Sequence, residues 1–201
     1  MQLTLYHCPG TRSQRVRWAL EELDLDYDLE PIDLYHGQGN SPEYRAINPL
    51  GQLPALKVDD KVILESGAIV HWLADRFAPG LLAPPIDSPN RADYAQWMYF
   101  AVTNLEGPAW EIVLHRDILP EKLAVKAIIP FAEGRLGEVL ELLGSHLSGR
   151  DYLLGESFSA ADILAGYILM WFPRQVTAMP SLKAYVKRLK DRPAYQRSQR
   201  S

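Results

Sequence analysis

A proline-rich stretch divides the sequence into two parts that differ in hydrophobic pattern. The segment PGLLAPPIDSP at 79–89 holds four of the chain's fifteen prolines. Because proline fixes φ and lacks an amide hydrogen, helices and strands rarely continue through such a segment. Strand-like and helix-like segments alternate before it, whereas the periodic segments after it are helical. The pattern predicts an α/β domain over 1–79, a linker over 80–85 and an all-helical domain over 86–201.

The α/β part predicts a specific order of elements. Strands are expected at 2–6 and 26–34, helices at 12–24, 41–47 and 66–78, and a hairpin at 53–65. Pro31 falls in the second strand, which predicts an edge position for that strand. Asp59 and Asp60 form the predicted turn of the hairpin. In the helical part, Ser159 and Asp162 have the spacing of a capping box at the start of a nearly apolar helix.

Composition and charge exclude several functional classes. A net charge of −4 gives no reason to expect a nucleic-acid partner. The longest apolar run, at 163–172, is far shorter than the ~20 residues of a membrane span, and no signal peptide opens the chain, so a cytoplasmic location is expected. The single cysteine and five histidines show no metal-ligand spacing, so no metal is predicted.

The junction of the first strand and the first helix is a predicted site of chemistry. In LYHCPGTRSQRVRWALEEL at 5–23, the only cysteine, Cys8, precedes a Pro-Gly pair, and Thr11 and Ser13 stand where the helix begins. A helix amino terminus presents unpaired amide groups and a positive dipole end, so it stabilises a thiolate or another anion. The sequence therefore predicts an anion site at this junction.

Several motifs give the chain a resemblance to the glutathione S-transferase family. They are NPLGQLPAL at 48–56, ESGAI at 65–69, FSAADI at 158–163 and PSLKAYVKRLKDRPAY at 180–195. In addition, TRSQRVRWALEEL at 11–23 is similar to the SRSxRVxWLLEEL of bacterial and fungal members. The resemblance implies a thioredoxin-like domain followed by an all-helical domain. It also implies a homodimer that uses glutathione as co-substrate and serves detoxification by adding its thiolate to small hydrophobic electrophiles.

The glutathione site is predicted at two turns. A cis bond before Pro54, as the resemblance implies, turns the amide and carbonyl of Leu53 outward to pair with the cysteinyl backbone of glutathione. Ser66 caps the following helix and binds the γ-glutamyl carboxylate, while Glu65 neutralises the γ-glutamyl ammonium. The alternatives are a plain trans proline, a simple helix cap and a solvated acid. The candidates for the glycyl carboxylate are Gln52 and His36.

Three hydroxyl groups are candidates for activating the glutathione thiol. Free glutathione is mostly thiol at neutral pH, and one hydroxyl donor plus the helix dipole suffices to favour the thiolate. Thr11 ranks first because it stands at the first serine of the SRSxR motif, and Ser13 and Tyr6 follow. The structural alternatives are a helix cap for Thr11, a first-turn residue for Ser13 and strand packing for Tyr6.

Cys8 predicts a different chemistry. CPGTRSQR aligns without gaps on the reactive cysteine of omega transferases and glutaredoxins, which implies a glutathione-dependent thiol transferase or reductase acting through Cys8. Lone cysteines are most often small buried hydrophobes, however, and the segment that follows is typical of the hydroxyl-using branch. A third hypothesis is a non-catalytic transferase-like binding module, against which the retention of Pro54, Glu65 and Ser66 argues.

The electrophile is expected to bind between the two domains. The loop after the first strand and the first helices of the second domain supply the expected walls of its pocket. Aromatic and polar side chains there are its candidate contacts. These candidates are Tyr6, His7, Tyr99, Thr103 and Trp110.

Overall fold

The computed structural model describes residues 1–77 and 79–200. The chain forms two compact units. The first consists of Met1–Pro85 together with Lys190–Ser201, and the second of Ile86–Leu189. Each unit has its own set of buried apolar side chains.

The first unit is built on a four-stranded sheet. Its strands are β1 Leu3–His7, β2 Asp28–Pro31, β3 Ala55–Val58 and β4 Lys61–Leu64. They lie in the order β2-β1-β3-β4, with β2 parallel to β1, and β3 antiparallel to β1 and β4. The helices that precede the second unit are α1 Ser13–Glu22, α2 Pro42–Arg45 and α3 Ser66–Phe77. The predicted thioredoxin-like domain is therefore confirmed.

The sequence explains why these elements form. Alternate residues of β1 are buried, as expected for a strand with one face against a core. β2 is exposed throughout and lies at the sheet edge, where Pro31 interrupts no central ladder. Asp59 turns the β3–β4 hairpin with a φ of 51°, a conformation that Asp tolerates. The last residue of the helix predicted at 66–78, Ala78, lies outside the described residues.

The second unit is built from helices. They are α4 Arg91–Phe100, α5 Glu106–Val113, α6 Ile128–His146, α7 Ala160–Leu169, α8 Pro173–Ala178 and α9 Pro180–Lys190. Two π-helical turns, Ala101–Leu105 and Leu114–Ile118, follow α4 and α5. Every residue of α7 is buried, as its nearly apolar sequence predicts. Within the described ranges, no helix is long and apolar enough to cross a membrane.

A buried carboxylate organises the start of α7. Asp162 Oδ1 accepts hydrogen bonds from the Leu153 amide at 2.9 Å and the Tyr185 hydroxyl at 2.8 Å. Asp162 Oδ2 accepts from the amide and the hydroxyl of Ser159, at 2.8 and 2.9 Å. The predicted capping box between Ser159 and Asp162 is therefore present. These four residues are called the Asp162 network below.

The carboxyl-terminal segment belongs to the first unit, which corrects the predicted domain boundary. α10, Pro193–Ser198, packs against α1. The ring of Tyr195 meets Trp18 edge to face, with centroids 4.9 Å apart. Arg192 donates two hydrogen bonds to the Glu22 carboxylate, at 2.6 and 2.8 Å. These contacts attach the end of the chain to the first helix.

The boundary error has a physical reason. The helical pattern continues to the end of the sequence and so predicted one domain over 86–201, but periodicity identifies a helix without identifying the surface that it packs against. The predicted linker at 80–85 is also part of the first unit. Its residues Leu82 and Ala83 are only 2% exposed, as expected for a packed segment. Ser201, the predicted end of the second domain, lies outside the described residues.

Candidate active site

A chain of hydrogen-bonded groups lies at the junction of β1 and α1. His7 Nδ1 is 2.7 Å from Ser13 Oγ, and Ser13 Oγ is 2.7 Å from Thr11 Oγ1. The Thr11 hydroxyl donates to the Cys8 carbonyl oxygen at 2.8 Å. The three side chains and the main chain of Cys8 are called the His7 network. It connects Thr11 and Ser13, the two highest-ranked activation candidates, to a histidine.

The members of the His7 network differ in their access to solvent. His7 is 4% exposed and Ser13 is fully buried, whereas Thr11 is partly exposed. Thr11 Oγ1 also accepts the Ser13 amide at 3.3 Å, so Thr11 supports the start of α1 as well. Of the two hydroxyl residues, Thr11 is the one that a ligand reaches from solvent.

His7 is neutral in this environment. Burial, together with the positive charge of Arg17, lowers the pKa of His7 to about 4. Its Nε2 atom is buried and has no hydrogen-bond partner among the described residues. The predicted role of His7 in the wall of an electrophile pocket is inconsistent with this burial, because a wall residue has to present surface to its ligand.

Cys8 lies in an apolar cluster. Its side chain is 4% exposed and packs with Ile32, Tyr44 and Leu53. Tyr6 joins the same cluster, and its ring centroid is 5.8 Å from that of Tyr44. This environment favours the interpretation of Cys8 as a small buried hydrophobe and of Tyr6 as strand packing.

The turn before β3 leaves the Leu53 backbone available to a peptide. The Leu53-Pro54 bond is cis, as the resemblance implies. The Gln52 carbonyl accepts hydrogen bonds from the Tyr44 hydroxyl and the Asn48 side-chain amide, both at 2.7 Å, so the turn is held from one side. Neither the amide nor the carbonyl of Leu53 makes a hydrogen bond within the described part of the chain. Both groups can therefore pair with the main chain of an extended ligand.

The start of α3 presents two further predicted binding residues. Glu65 is exposed and has a φ of 67°, which costs a residue other than glycine about 1–2 kcal/mol. Backbone outliers of this kind cluster at functional sites. Ser66 begins α3, and its hydroxyl oxygen accepts a hydrogen bond from the Arg15 guanidinium at 3.2 Å. Since that oxygen acts as an acceptor toward Arg15, the Ser66 hydroxyl hydrogen can serve an anionic acceptor such as a carboxylate.

Arg15 and Tyr44 are functional candidates that the sequence did not identify. Arg15 is fully buried and brings a positive charge next to Ser66, which favours carboxylate binding there. The available signal was its position on the buried face of α1, one turn before Ala19, where a cation is unexpected. Tyr44 carries no such signal, because its importance comes only from its contact with Gln52.

His36 and Gln52, predicted for the glycyl carboxylate, lie on neighbouring loops and are both exposed. A Cβ atom on Gly39 would lie 2.5 Å from the Gly51 carbonyl oxygen, so glycine is required where these loops meet. His36 Nδ1 lies 2.8 Å from a carboxylate oxygen of Asp33, and this hydrogen bond lowers the pKa of Asp33. The negative charge of Asp33 opposes a second carboxylate at His36 and favours Gln52 for that role.

Three predicted electrophile contacts belong to the second unit. Tyr99 lies on α4 and is 66% exposed. Thr103 lies in the following π-helical turn, and its hydroxyl donates to the Tyr99 carbonyl at 2.8 Å. Trp110 lies on α5, with its ring centroid 6.5 Å from that of Trp171. Their binding of an electrophile stays a prediction.

Contacts within the first unit connect the elements that carry the predicted glutathione site. Cys8 and Leu53 share one apolar cluster, and Arg15 of α1 reaches Ser66 of α3. The junction of β1 and α1, the turn before β3 and the start of α3 therefore lie side by side. This arrangement offers main-chain pairing, carboxylate binding and a hydroxyl at a helix start. Among the residues that the structure describes, no group of three or more His, Cys, Asp or Glu side chains is arranged to hold a metal ion.

Both parts of the chain match known proteins. Family models described as the N-terminal and C-terminal domains of glutathione S-transferase match residues 1–75 and 119–194. Glutathione S-transferase 3 of Zea mays is 31% identical over 206 residues, which cover 98% of this chain and 92% of that protein.

Solved structures extend the likeness to the fold. Glutathione transferase F7 from Populus trichocarpa has a TM-score of 0.84 at 30% identity and covers 99% of this chain and 100% of its own. The theta class glutathione S-transferase from Xanthomonas axonopodis pv. citri, with glutathione bound, has a TM-score of 0.81 at 33% identity. The match covers 99% of this chain and 97% of that one. The chain therefore belongs to the glutathione S-transferase family and is a transferase enzyme.

Proposed function

We propose that this transferase binds glutathione on its first unit and adds the glutathione thiolate to small hydrophobic electrophiles. The observation that carries the proposal is the backbone of Leu53, unpaired within the described part of the chain, beside a helix start where the partly exposed residue Thr11 carries a hydroxyl. The similar Xanthomonas protein was solved with glutathione bound, which supports the same ligand here.

Each part of glutathione has a group of matching chemistry in the site. The amide and carbonyl of Leu53 pair with the cysteinyl main chain. The Ser66 hydroxyl donates to the γ-glutamyl carboxylate, with the Arg15 charge behind it. The exposed carboxylate of Glu65 accepts from the γ-glutamyl ammonium, and the Gln52 amide donates to the glycyl carboxylate.

Thr11 is the proposed activating residue. The thiol lies at the start of α1, its proton passes to water, and the Thr11 hydroxyl and the helix dipole stabilise the thiolate. The sulfur electron pair then forms a bond to the electrophilic carbon. In a substitution, the leaving group departs with the electron pair of the broken bond. In an addition to a conjugated double bond, that electron pair moves onto the acceptor, which takes up a proton from water.

The burial of Cys8 disfavours the alternative thiol-transferase chemistry. Attack on a disulfide requires a thiolate that the disulfide sulfur can reach. Cys8 is 4% exposed and surrounded by apolar side chains.

The identity of the electrophile, the homodimer, the detoxification role and the cytoplasmic location rest on the sequence and the resemblance. A hydrophobic electrophile suits aromatic contacts, and Tyr99 and Trp110 are the proposed examples. Tyr6 and Thr103 stay predicted contacts of the same substrate.

Calorimetric titration of the purified chain with glutathione tests the proposal. We expect a dissociation constant between about 1 µM and 1 mM, and formation of a thioether with a nitro-activated aryl chloride. Ser66→Ala should weaken glutathione binding about tenfold, because a carboxylate loses one charge-assisted hydrogen bond. Ser148→Ala, a serine on the surface of the second unit, is the matched control. A folded chain that fails to bind glutathione at millimolar concentration would refute the proposal.

A further inference from the structure

The His7 network contains a buried histidine that the proposed binding and activation steps do not use. Among the described residues, the His7 side chain is hydrogen-bonded to Ser13, which in turn contacts the partly exposed Thr11. We infer that His7 is a positioning residue, whose Nδ1–H acts through the Ser13 hydroxyl to direct the Thr11 hydroxyl hydrogen toward the glutathione sulfur. The inference rests on the proposed function, because it assigns the Thr11 hydroxyl to that sulfur.

A count of hydrogens selects the tautomer of His7. Three short contacts of 2.7, 2.7 and 2.8 Å run from His7 through Ser13 and Thr11 to the Cys8 carbonyl, and each requires one hydrogen. A fourth contact, from Ser13 Oγ to the same carbonyl, is longer at 3.2 Å. The two hydroxyls supply two hydrogens, so the third comes from His7 Nδ1. With the hydrogen on Nε2 instead, one of the three short contacts would join two acceptors.

The environment of Nε2 supports the same tautomer. Nε2 is buried and has no hydrogen-bond partner among the described residues. A hydrogen on Nε2 would be an orphaned buried donor, and such donors are rarer in proteins than orphaned acceptors. Burial and the charge of Arg17 lower the pKa of His7 to about 4, so the ring carries a single hydrogen at neutral pH.

With Nδ1 as donor, every hydrogen in the network points the same way. His7 donates to Ser13, Ser13 donates to Thr11 at 2.7 Å in preference to the Cys8 carbonyl at 3.2 Å, and the Thr11 hydrogen is left to point away from Ser13. In the structure it meets the Cys8 carbonyl, which also accepts the Thr11 amide at 3.3 Å and therefore keeps a partner when the hydroxyl turns to a sulfur. Donors aligned in series polarise one another, so the Thr11 hydroxyl becomes a stronger donor.

Two variants separate positioning from packing. His7→Phe fills the space without a donor, whereas His7→Asn places an amide N–H where Nδ1 lies. For His7→Phe we expect the pKa of bound glutathione, followed by thiolate ultraviolet absorption, to rise by about 0.5–1 pH unit. The value of kcat/KM near neutral pH should fall about 3–10-fold, with KM for glutathione changed less than about twofold. His7→Asn should restore each value to within about twofold of wild type.

Three results would overturn the inference. They are a wild-type thiol pKa in the folded His7→Phe variant, a His7→Asn variant as impaired as His7→Phe, and a hydrogen on Nε2 in the nitrogen NMR spectrum of the wild-type chain. The NMR signal is assigned by its loss in His7→Asn and needs no glutathione. If the wild-type chain does not bind glutathione, the proposed function fails as well. If it binds and conjugates while His7→Phe behaves as wild type, only the inference fails.

Discussion

The two units each contain a buried polar network, and the two networks differ in whether they reach solvent. In the Asp162 network, one carboxylate accepts four hydrogen bonds from groups of this chain, and Asp162 itself is fully buried. In the His7 network, the groups are neutral and the last hydroxyl, that of Thr11, belongs to a partly exposed residue. A closed network fixes a structure, whereas an open one offers its end to a ligand.

Charge explains why the Asp162 network is closed. An ionised carboxylate without partners cannot remain in a low-dielectric interior, so each of its acceptor positions has to be filled. A neutral chain of hydroxyl groups has a smaller desolvation cost, and one hydroxyl can change partners without leaving a charge unpaired. Substitutions at Asp162 are therefore expected to affect mainly stability, and substitutions at Thr11 mainly catalysis.

Removal of the Asp162 carboxylate should have the largest effect. Asp162→Ala leaves buried donors of Leu153 and Ser159 without an acceptor, so we expect the free energy of unfolding to fall by about 3–5 kcal/mol. Urea unfolding followed by circular dichroism measures this loss. Asp151→Ala is the matched control, because Asp151 forms a surface ion pair with Arg188 and should change stability by less than about 0.5 kcal/mol.

Tyr185→Phe is a milder test of whether the Asp162 carboxylate depends on all four of its hydrogen bonds. It removes one of the four hydrogen bonds to Asp162 and should lower the free energy of unfolding by about 1 kcal/mol. A well-folded protein therefore remains for measurement. If Asp162→Ala cost less than about 1 kcal/mol, water would have replaced the missing acceptor, and the Asp162 network would not be closed.

Acid should destabilise the buried end of the His7 network. The pKa of His7 is lowered from 6.5 to about 4 in the folded chain, so the unfolded chain binds the proton first. The stabilising contribution is complete above pH 6.5 and is lost as pH falls through 4, with a total of about 3 kcal/mol. Unfolding free energies measured between these limits should fall less steeply for His7→Asn than for wild type. Parallel curves would show that His7 does not titrate as a buried group.

The open end of the His7 network should control catalysis. Thr11→Val keeps the shape of the side chain but removes the hydroxyl, and we expect kcat/KM for conjugation to fall about 10–100-fold, with a raised pKa of bound glutathione. Thr11→Ser retains the donor and should remain within about threefold of wild type. A Ser13→Ala variant that is inactive beside an active Thr11→Val would instead make Ser13 the activating residue.

The sequence predicted the parts of each network that are close along the chain. Ser159 and Asp162 are three residues apart, and helix geometry alone dictates their contact. Thr11 and Ser13 came from one motif at a helix start. Tyr185, in contrast, reaches Asp162 from 23 positions away, and Arg15 reaches Ser66 from 51 positions away. Contacts of that range depend on how helices and strands pack, which spacing does not encode.

The same limit explains the incorrect expectations. His7 was expected in a pocket wall because it stands beside a predicted catalytic loop, but strand alternation turns its side chain to the buried face. The order of strands and helices in the first unit followed from local periodicity and turn residues. The placement of α10 did not, because it depends on side-chain pairs such as Arg192 with Glu22.

Substitution of Cys8 should have the smallest effect on conjugation and stability. The His7 network uses only the main chain of Cys8, while its side chain packs with Tyr6 and Leu53. The Cys8 thiol therefore lies in the apolar cluster, whereas His7, the last residue of β1, contacts Ser13. We therefore expect Cys8→Ala to keep conjugation within about twofold and to cost about 1 kcal/mol of stability through lost packing.

The corresponding measurement for the alternative chemistry is reduction of a mixed disulfide of glutathione. If the wild-type chain carried out that reduction and Cys8→Ala abolished it, the apolar cluster would have to open to admit a disulfide. The Cys8 thiol would then be a second reactive group of the first unit, next to the Thr11 hydroxyl in the loop between β1 and α1. If Cys8→Ala leaves both activities as they are in wild type, the chemistry of the junction belongs to hydroxyl groups alone, and the cysteine contributes to it only through its backbone.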